Sequence, residues 1–530
     1  MLGLELIVAL GAAVVLGSLL APRLRISQPV VLIACGLALS LIPVFRGVGL
    51  PPETVLLLFL PVLLYWESLT TSLREIRRFI RGIMLSATLL VVVTAAAVAA
   101  VAHALGVDWG SAWILGAAVA PTDATAVAAL GRALPRRQLT TLRAESLVND
   151  GTALVIYGVA LSAAAGGGAF SPLLVTADFL YSFLGGAAVG VAVGWAMLEG
   201  RKRIDNAMVG NAATLLTPFA AFLGAELIHA SAVLAVVACG LYLSQAAPLA
   251  ISAYTRQQTV AVWSLASFML NGALFVLVGL QLPVSAAGLW ASEGRANGQA
   301  IGQILLVGVA VYATILLTRL AVLILSAYLI RAVDRRPYQR QLRTTNRARV
   351  MSTTAGFRGA VSLAVALSIP DAGQYPQRDA IVFLTAFVVV ASLVVQGLAL
   401  PRVIRWARIP EDTSVTQELL LAKRTAAEEA FRALPDLARE LRIDDDVLER
   451  IHAEYDEHLA AMNAGFDDSD DPAIVRTRQY TRLRLALLGH KRATVVRLRD
   501  ARTIDDTVLR IIQAQLDAEE LRLARPQETE

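Results

Sequence analysis

The sequence predicts an all-α, polytopic membrane protein of about 13 transmembrane helices, followed by a small soluble helical domain. The prediction rests on composition: 56% of the 530 residues are hydrophobic, only 17% are charged, and the charges avoid long stretches of the chain. A helix needs roughly 20 mostly apolar residues to cross the bilayer core. Such stretches lie at 2–20, 28–45, 54–70, 82–104, 111–131, 146–166, 174–198, 208–227, 230–246, 261–281, 301–330, 349–369 and 379–402.

The basic residues between these spans predict their orientation. Most Lys and Arg residues of the membrane part lie in loops after odd-numbered spans, whereas the loops after even-numbered spans carry only Arg46, Arg295 and Arg378. Because cytoplasmic loops collect Lys and Arg, we expect a multi-pass protein of the cytoplasmic membrane with its N-terminus outside and its C-terminus in the cytoplasm. The basic inner face fits anionic lipid headgroups, and it gives no reason to invoke nucleic acid.

The pattern changes near residue 409, where apolar positions three and four apart predict amphipathic helices. We therefore expect a transmembrane domain at 1–408 and a cytoplasmic helical tail at 409–530. The tail carries no phosphate loop or metal motif. We expect it to support dimerisation or regulation, with a ligand-sensing module as the alternative and no regulator identified.

The fifth span contains a proline beside an acid. Pro121 cannot donate to the helical hydrogen-bond ladder, so the helix should break or kink there. Thr122 and Asp123 follow at once. Freed carbonyls, a hydroxyl and a carboxylate together offer the oxygen ligands that a dehydrated monovalent cation needs.

The sixth span carries four polar residues on one helical side: Glu145, Ser146, Asn149 and Asp150. Acids inside a membrane segment are expensive and mark ion or proton pathways. Asp150 lies deeper than Glu145, so it is the candidate for holding either a proton or a cation. Arg319, isolated in the eleventh span, is the predicted ion-pair partner of Glu145.

The twelfth span repeats the interruption, since Gly356 and Gly359 bracket Arg358 inside an apolar segment. The fifth and twelfth spans are seven apart, as expected for two six-helix units joined by a linker helix. Corresponding interruptions in two halves indicate a transport site between inverted repeats.

Other polar residues give weaker signals. Glu67 and Asn271 are candidates for lining the ion pathway. Cys35 and Cys239 both fall in apolar spans and offer neither a disulfide framework nor a thiolate metal site. No HExxH, Walker or nucleophile-elbow motif supports an enzyme, so we predict a transporter without a cofactor.

Three motifs resemble the cation:proton antiporter superfamily, specifically its sodium/proton exchanger branch. They are APTDATAV at 120–127, ESLVNDGTAL at 145–154 and FRGAVSLAVAL at 357–367, in the order and the spans typical of that family. The resemblance covers roughly residues 1–405. The third span departs from the family, because relatives often show two prolines followed by aliphatic residues, Phe and an acid, whereas LPVLLYWESL has Val62 and an extra Trp66.

The resemblance implies a homodimer of thirteen-helix protomers, each with a dimerisation subdomain and a core subdomain in which unwound fifth and twelfth helices cross. It implies that Arg319 and Asn149 hold Glu145 and that Arg358 stabilises the crossing. The family's ion ligands map onto Thr122, Asp123, Glu145, Ser146 and Asp150, with Na⁺ at Asp123 and Asp150.

The same resemblance implies electroneutral exchange, because members with Asn at the position of Asn149 are generally electroneutral. We therefore expect one cytoplasmic Na⁺, or Li⁺, to be exchanged for one external proton, for pH and sodium homeostasis. Potassium/proton antiport on the same scaffold is the nearest alternative. A membrane sensor with a transporter-like core is a more distant one.

Overall fold

The computed structural model describes most of the chain. The described residues are 2–24, 26–45, 52–74, 76–77, 85–123, 134, 136–164, 172–204, 206–246, 253–292, 298–333, 345–370, 375, 377–408, 414–463, 472–501, 503 and 505–524. Across these residues every regular element is a helix. The chain divides into two compact units, Met1–Glu411 and Asp412–Glu530.

The first unit contains the predicted membrane spans. Its helices are α1 (Leu2–Leu24), α2 (Gln28–Leu39), α3 (Pro52–Thr70), α4 (Leu90–Ala104), α5 (Trp109–Val119), α6 (Arg136–Ala164), α7 (Pro172–Arg201), α8 (Ala207–Glu226), α9 (Ala232–Ala246), α10 (Ala253–Ser292), α11 (Gly298–Val333), α12 (Asn346–Thr354), α13 (Ala360–Leu367), α14 (Arg378–Ala391) and α15 (Gly397–Ala407). Two π-helical turns, Leu85–Leu89 and Ser392–Gln396, lead into α4 and join α14 to α15.

The all-helical membrane fold predicted from the sequence is confirmed. Among the described residues, eight helical stretches are long and apolar enough to cross a membrane, and four more apolar helices, in α2, α3, α5 and α9, are shorter. Every predicted span overlaps at least one of these helices or the α12–α13 pair. The chain is therefore a multi-pass membrane protein.

Two predicted spans, the second and the sixth, illustrate how their bounds differ from those of the helices. The second span was predicted to reach residue 45, but α2 ends at Leu39 and a short 3₁₀ turn, Pro43–Phe45, follows. The sixth span was predicted to begin at 146, yet α6 begins at Arg136. Glu145 therefore lies nine residues inside a continuous helix, and its side chain can be held by neighbours on both sides.

The fifth and twelfth predicted spans are both interrupted. Helix α5 ends at Val119, and the chain from Pro121 to Asp123 is not helical. The rest of that predicted span, 124–131, lies outside the described residues. The twelfth span is two short helices, α12 and α13, joined by a non-helical segment at 355–359.

These interruptions lie in the interior of the unit. Helix α13 packs against α3, α5 and α14, and α6 packs against α5. Phe357, in the second interruption, is fully buried in the main apolar core together with Leu363 and Val365 of α13. Packing against several helices helps to hold the broken segments in place.

The second unit consists of four helices: α16 (Ser414–Leu441), α17 (Asp445–Asn463), α18 (Pro472–Asp500) and α19 (Asp506–Ala524). Phe431 of α16 packs on His452 of α17 with ring centroids 4.5 Å apart. Arg484 of α18 donates to Glu519 of α19 at 2.8 Å. Helices α16 and α17, and helices α18 and α19, therefore pack as neighbouring pairs.

Candidate ion-binding site

The two helix interruptions meet at one backbone hydrogen bond. The N–H of Asp123 donates to the carbonyl of Phe357 at 2.9 Å. Pro121 supplies no N–H of its own, and α5 has already ended at Val119. In a continuous helix, these N–H and C=O groups would form hydrogen bonds within the helix. Here they form hydrogen bonds between the two interrupted segments, because buried backbone groups in a membrane protein need partners.

Arg358 satisfies the carbonyls at this crossing. Its Nε donates to the carbonyl of Val119 at 2.9 Å, and its Nη2 donates to that of Ala120 at 3.3 Å. Its Nη1 donates to the carbonyl of Gly356 at 2.7 Å. The side chain is 1% exposed, so this guanidinium does not reach a lipid headgroup. One buried cation holds the end of α5 and the interruption before α13 together.

Ser392 supports Arg358 from a third direction. The backbone N–H of Arg358 donates to the Ser392 hydroxyl at 2.9 Å. Ser392 begins the π-helical turn Ser392–Gln396, where the backbone widens and the helix's usual i to i−4 bonding is shifted. Sequence reasoning missed this residue, because a serine in an apolar span gives no signal of its own.

Glu145 and Arg319 form a buried ion pair. Arg319 Nη1 lies 2.5 Å from Glu145 Oε1, and both side chains are at most 3% exposed. Arg319 Nε also donates to the carbonyl of Ser352 in α12 at 3.3 Å. The pair links α6, α11 and α12. Each charge has its counter-charge inside the protein, so neither needs an ion from solution.

A short hydrogen-bond chain joins this pair to the first interruption. Asn149 Nδ2 donates to Thr122 Oγ1 at 2.7 Å, and Thr122 Oγ1 donates to Glu145 Oε1 at 3.3 Å. Glu145 and Asn149 are four residues apart on α6, which places them on one helical stripe. Both residues of this stripe therefore contact Thr122, which directly precedes Asp123 in the chain.

The neighbouring stripe of α6 faces a small cavity. The cavity has a volume of about 30 Å³, which is room for one or two water-sized bodies. Its polar wall consists of Glu67, Thr122, Asp123, Ser146, Asp150, Asn271 and Ser362. The rest of the wall consists of Leu60, Leu63, Leu64, Pro121, Leu274, Phe275, Gly359 and Val361.

Glu67, Asp123 and Asp150 therefore line one cavity, and none of the described residues in its wall is Lys, Arg or His. Asp150 is 6% exposed, and among the described residues no donor hydrogen-bonds to its carboxylate. Like charges close together in a low-dielectric interior cannot all remain ionised without compensation. Such a cavity can accommodate protons, a cation or both.

Gly359 allows the cavity to form. A Cβ atom at this position would collide with the carboxylate of Asp123. The backbone of Gly359 is extended, with φ at −119°, so the requirement is for space and not for an unusual conformation. The non-helical segment before α13 can therefore lie close to Asp123, because residue 359 has no side chain.

Gly356 makes room for Arg319 in the same way. A Cβ at Gly356 would lie 2.5 Å from Arg319 Nε. The two glycines of the twelfth span thus leave space for two charged side chains. The carboxylate of Asp123 lies against Gly359, and the guanidinium of Arg319 lies against Gly356.

The structure separates the predicted site residues into two groups. One group lines the cavity: Pro121, Thr122, Asp123, Ser146, Asp150, Glu67 and Asn271. The other group lies behind the cavity wall: Glu145, Asn149, Arg319 and Arg358. Glu145 was expected among the ion ligands, but its carboxylate contacts Arg319 and Thr122. Ser362 and the apolar wall from α3 and α10 were not predicted.

The donor set does not resemble a resident metal centre. Across the described ranges, no group of three or more His, Cys, Asp or Glu side chains is arranged to hold a metal ion. A monovalent cation needs only oxygen ligands with one or two charges among them, and the cavity offers carboxylates, hydroxyls and an amide.

Comparison with known proteins agrees with this geometry. The sequence profile of the family described as "Sodium/hydrogen exchanger, transmembrane" matches residues 10–406. The chain is 42% identical to an uncharacterized Na⁺/H⁺ exchanger of Mycobacterium tuberculosis, over 100% of this chain and 97% of that protein. It is 31% identical to a sodium, potassium, lithium and rubidium/H⁺ antiporter of Bacillus subtilis, over 71% of this chain and 57% of that protein.

Among solved structures, the fold is similar to the sodium proton antiporter MjNhaP1 of Methanocaldococcus jannaschii at pH 8. The TM-score is 0.58 at 20% sequence identity, with 76% of this chain and 99% of that chain covered. At this identity the likeness concerns the fold alone.

Proposed function

This chain belongs to the sodium/hydrogen exchanger family, and from that premise we propose that it is a secondary active transporter that exchanges cytoplasmic Na⁺ for external protons. Cation/proton antiport is what the family does, and its members are transporters rather than enzymes. The choice of Na⁺, the stoichiometry and the direction of exchange are the parts that we add.

One observation carries the proposal. Glu67, Asp123 and Asp150 line one cavity, and no Lys, Arg or His is among the described residues of its wall. In a membrane interior such acids must be neutralised, and the cavity is large enough for one dehydrated ion. Protons and a cation are then alternative ways to compensate the same charge, which is the physical basis of exchange.

The mechanism follows from this competition. When the cavity opens towards a basic cytoplasm, Asp150 loses one proton, and Na⁺ binds to Asp150 and the already ionised Asp123 with oxygens from Thr122, Ser146 and the freed backbone. The loaded site then opens towards the other side, where one proton displaces the ion from Asp150. The apolar wall from α3 and α10 would slide past the site in this step, while Arg358 and the Glu145–Arg319 pair keep the broken helices rigid.

The neutral side chain of Asn149 supports a one-for-one exchange. Asn149 lies beside Asp150 in sequence but donates to Thr122. An acid at position 149 would add a charge that a second proton could neutralise. With an amide there, the exchange of one proton for one cation leaves the net charge of the site unchanged in every step.

We further propose that the protein works as a homodimer in the cytoplasmic membrane with its N-terminus outside. The orientation is supported by the bias of Lys and Arg towards loops after odd-numbered spans. Crosslinking in native membranes would test the dimer, and cysteine accessibility at each terminus would test the orientation.

The function is tested by ion-induced dequenching of a pH-gradient dye in proteoliposomes. Na⁺ and Li⁺ should dissipate the gradient in the wild type, and clamping the membrane potential with valinomycin and K⁺ should leave the rate unchanged. A rate that depends on the membrane potential would contradict the one-for-one stoichiometry. No response to any cation from intact protein would favour a sensor over a transporter.

Potassium/proton antiport is the second candidate, and one observation favours it. The Bacillus subtilis relative is named for exchange of sodium, potassium, lithium and rubidium. All ligands in the cavity are oxygens, which serve Na⁺ and K⁺ alike. A response to K⁺ as strong as that to Na⁺ would replace the sodium-selective proposal with a broader one.

A further inference from the structure

Four arginines converge at the end of the first unit, away from the ion-binding cavity. Arg347 of α12, Arg402 and Arg405 of α15, and Arg408 after α15 line one open groove together with Trp406. The groove has a volume of about 540 Å³. We name it the arginine groove and infer that it binds the phosphate headgroup of an anionic phospholipid.

The positive charge of the arginine groove has no internal counter-charge among the described residues. None of its four arginines forms an ion pair there, and no carboxylate lines the groove. Arg402 Nη1 donates to the carbonyl of Leu398 in its own helix at 2.9 Å, and Arg347 lies over the Trp406 ring with Cζ 5.6 Å from the ring centroid. All four arginines are exposed, so their remaining donors can reach a ligand or solvent.

Phosphate matches this arrangement in charge and in shape. A guanidinium presents two parallel N–H donors that fit two oxygens of one phosphate. The carbonyl end of α15 carries roughly half a unit of negative charge, which is smaller than the four positive charges gathered around it. A net positive groove therefore remains.

The outer face of α15 indicates that the anion belongs to a lipid. Val395, Leu398, Arg402 and Arg405 follow at intervals of three and four residues, so they share one face of the helix. Val395 and Leu398 are 52% and 56% exposed, and the basic residues follow them along the axis. Along the chain, this face changes from apolar to basic. A phospholipid has the matching order, with its acyl chains beside the apolar residues and its phosphate beside the basic ones.

Trp406 marks the level of the boundary. It is 52% exposed, and tryptophan collects where membrane hydrocarbon meets the headgroups. A free phosphate would use the arginines but would leave the exposed Val395, Leu398 and Trp406 without a role. A phospholipid uses all of them, with its acyl chains along α15 and its phosphate in the arginine groove.

Occupation of the groove would tie two elements of the transport site together. Helix α12 leads directly into the interruption that carries Arg358, and α15 continues from the turn that carries Ser392. The two helices already pack against each other. A phosphate bound between Arg347 and Arg402 would add a bridge at their outer ends.

The test compares thermal stability of the full chain in detergent with added phosphatidylglycerol or phosphatidylcholine at equal total lipid. Phosphatidylglycerol should raise the Tm of the wild type by at least about 2 °C more than phosphatidylcholine does. In Arg402→Gln/Arg405→Gln this difference should fall to half or less. Lys202→Gln/Arg203→Gln, which removes two exposed charges elsewhere, should keep it.

A second measurement works on the wild type alone. Native mass spectrometry should show phosphatidylglycerol retained after phosphatidylcholine has dissociated, and inorganic phosphate should not displace it. Equal loss of the Tm difference in both double variants would mean a general surface charge and overturn the proposal. The full shift with inorganic phosphate alone, or no preference for phosphatidylglycerol, would overturn it as well.

Discussion

Two adjacent stripes of helix α6 carry nearly the same side chains and are placed in opposite electrostatic situations. Glu145 and Asn149 form one stripe, with the charge of Glu145 matched by Arg319 and the amide of Asn149 bound to Thr122. Ser146 and Asp150 form the other stripe and face a cavity whose described wall holds two further carboxylates and no Lys, Arg or His. Each residue of the second stripe directly follows a residue of the first stripe in the sequence.

The comparison teaches that depth alone does not decide what a membrane acid does. Glu145 and Asp150 are 2% and 6% exposed, so both are buried. Glu145 has a cationic partner among the described residues, and Asp150 has none there. We propose that this difference, and not burial, separates a structural carboxylate from a transporting one.

Asp150→Asn should have the largest effect and should abolish exchange in the dequenching assay. The amide cannot take up a proton or compensate a cation, so the competition on which exchange depends is removed. The Tm should change little, because no donor among the described residues hydrogen-bonds to this carboxylate. Exchange at the wild-type rate would remove Asp150 from the site.

Glu145→Gln makes the same chemical change on the other stripe and serves as the matched comparison. It leaves Arg319 buried without its counter-charge, so the Tm should fall, in contrast to Asp150→Asn. If both variants lost transport with unchanged Tm, the distinction between the stripes would be wrong.

Arg319→Ala should reduce the free energy of unfolding by about 3–5 kcal/mol, because Glu145 would remain as an unpaired buried charge. Thermal unfolding in detergent measures this, with Arg23→Ala at the exposed end of α1 as the control. The double variant Glu145→Gln/Arg319→Met should recover at least half of the loss. A normal Tm for Arg319→Ala would refute the stabilising role of the pair.

Gly359→Ala should cost about 1–3 kcal/mol, since the added methyl collides with Asp123. It should also weaken the apparent affinity for Na⁺, because the carboxylate must move. Gly158→Ala is the matched control: a Cβ at this exposed position of α6 meets nothing within 4 Å. Equal behaviour of the two variants would show that the close approach at the crossing is not needed.

Ser392→Ala should have the smallest effect, about 1 kcal/mol, from the lost hydrogen bond to the buried N–H of Arg358. Ser285→Ala is a suitable control, because that buried hydroxyl donates only to Gln281 within its own helix. The Tm difference between these variants measures how far Ser392 supports the crossing. A larger loss in Ser285→Ala would count against this role.

Much of the fold could be predicted from the sequence, because apolar length, proline and glycine act locally. Pro121 ends a helix wherever it falls inside one, and Gly356 with Gly359 weakens any helix. Both interruptions were found in this way. That their backbones touch, with Asp123 bound to Phe357, depends on contacts between distant segments and leaves no mark on either segment alone.

The candidate site could be predicted in membership but not in arrangement. Polar side chains inside apolar spans are costly in free energy and therefore stand out in the sequence. Asp123, Asp150, Glu67 and Asn271 were all named for this reason. Helical spacing could not divide the polar residues of α6 into two stripes, since positions one apart differ by only 100° around the axis. The packing of α11 and α12 placed Arg319 beside one stripe and left the other open.

The hydrogen bonds from Arg358 to the end of α5 can form only after both segments have been synthesised. Arg358 follows Val119 by 239 residues, and at about 5–20 residues per second a ribosome needs roughly 10–50 s to make that stretch. During this interval the carbonyls of Val119 and Ala120 are in the growing chain without the guanidinium that will bind them. A chain truncated before Arg358 therefore has an unfinished helix end, and the second half of the protein completes a segment that the first half began.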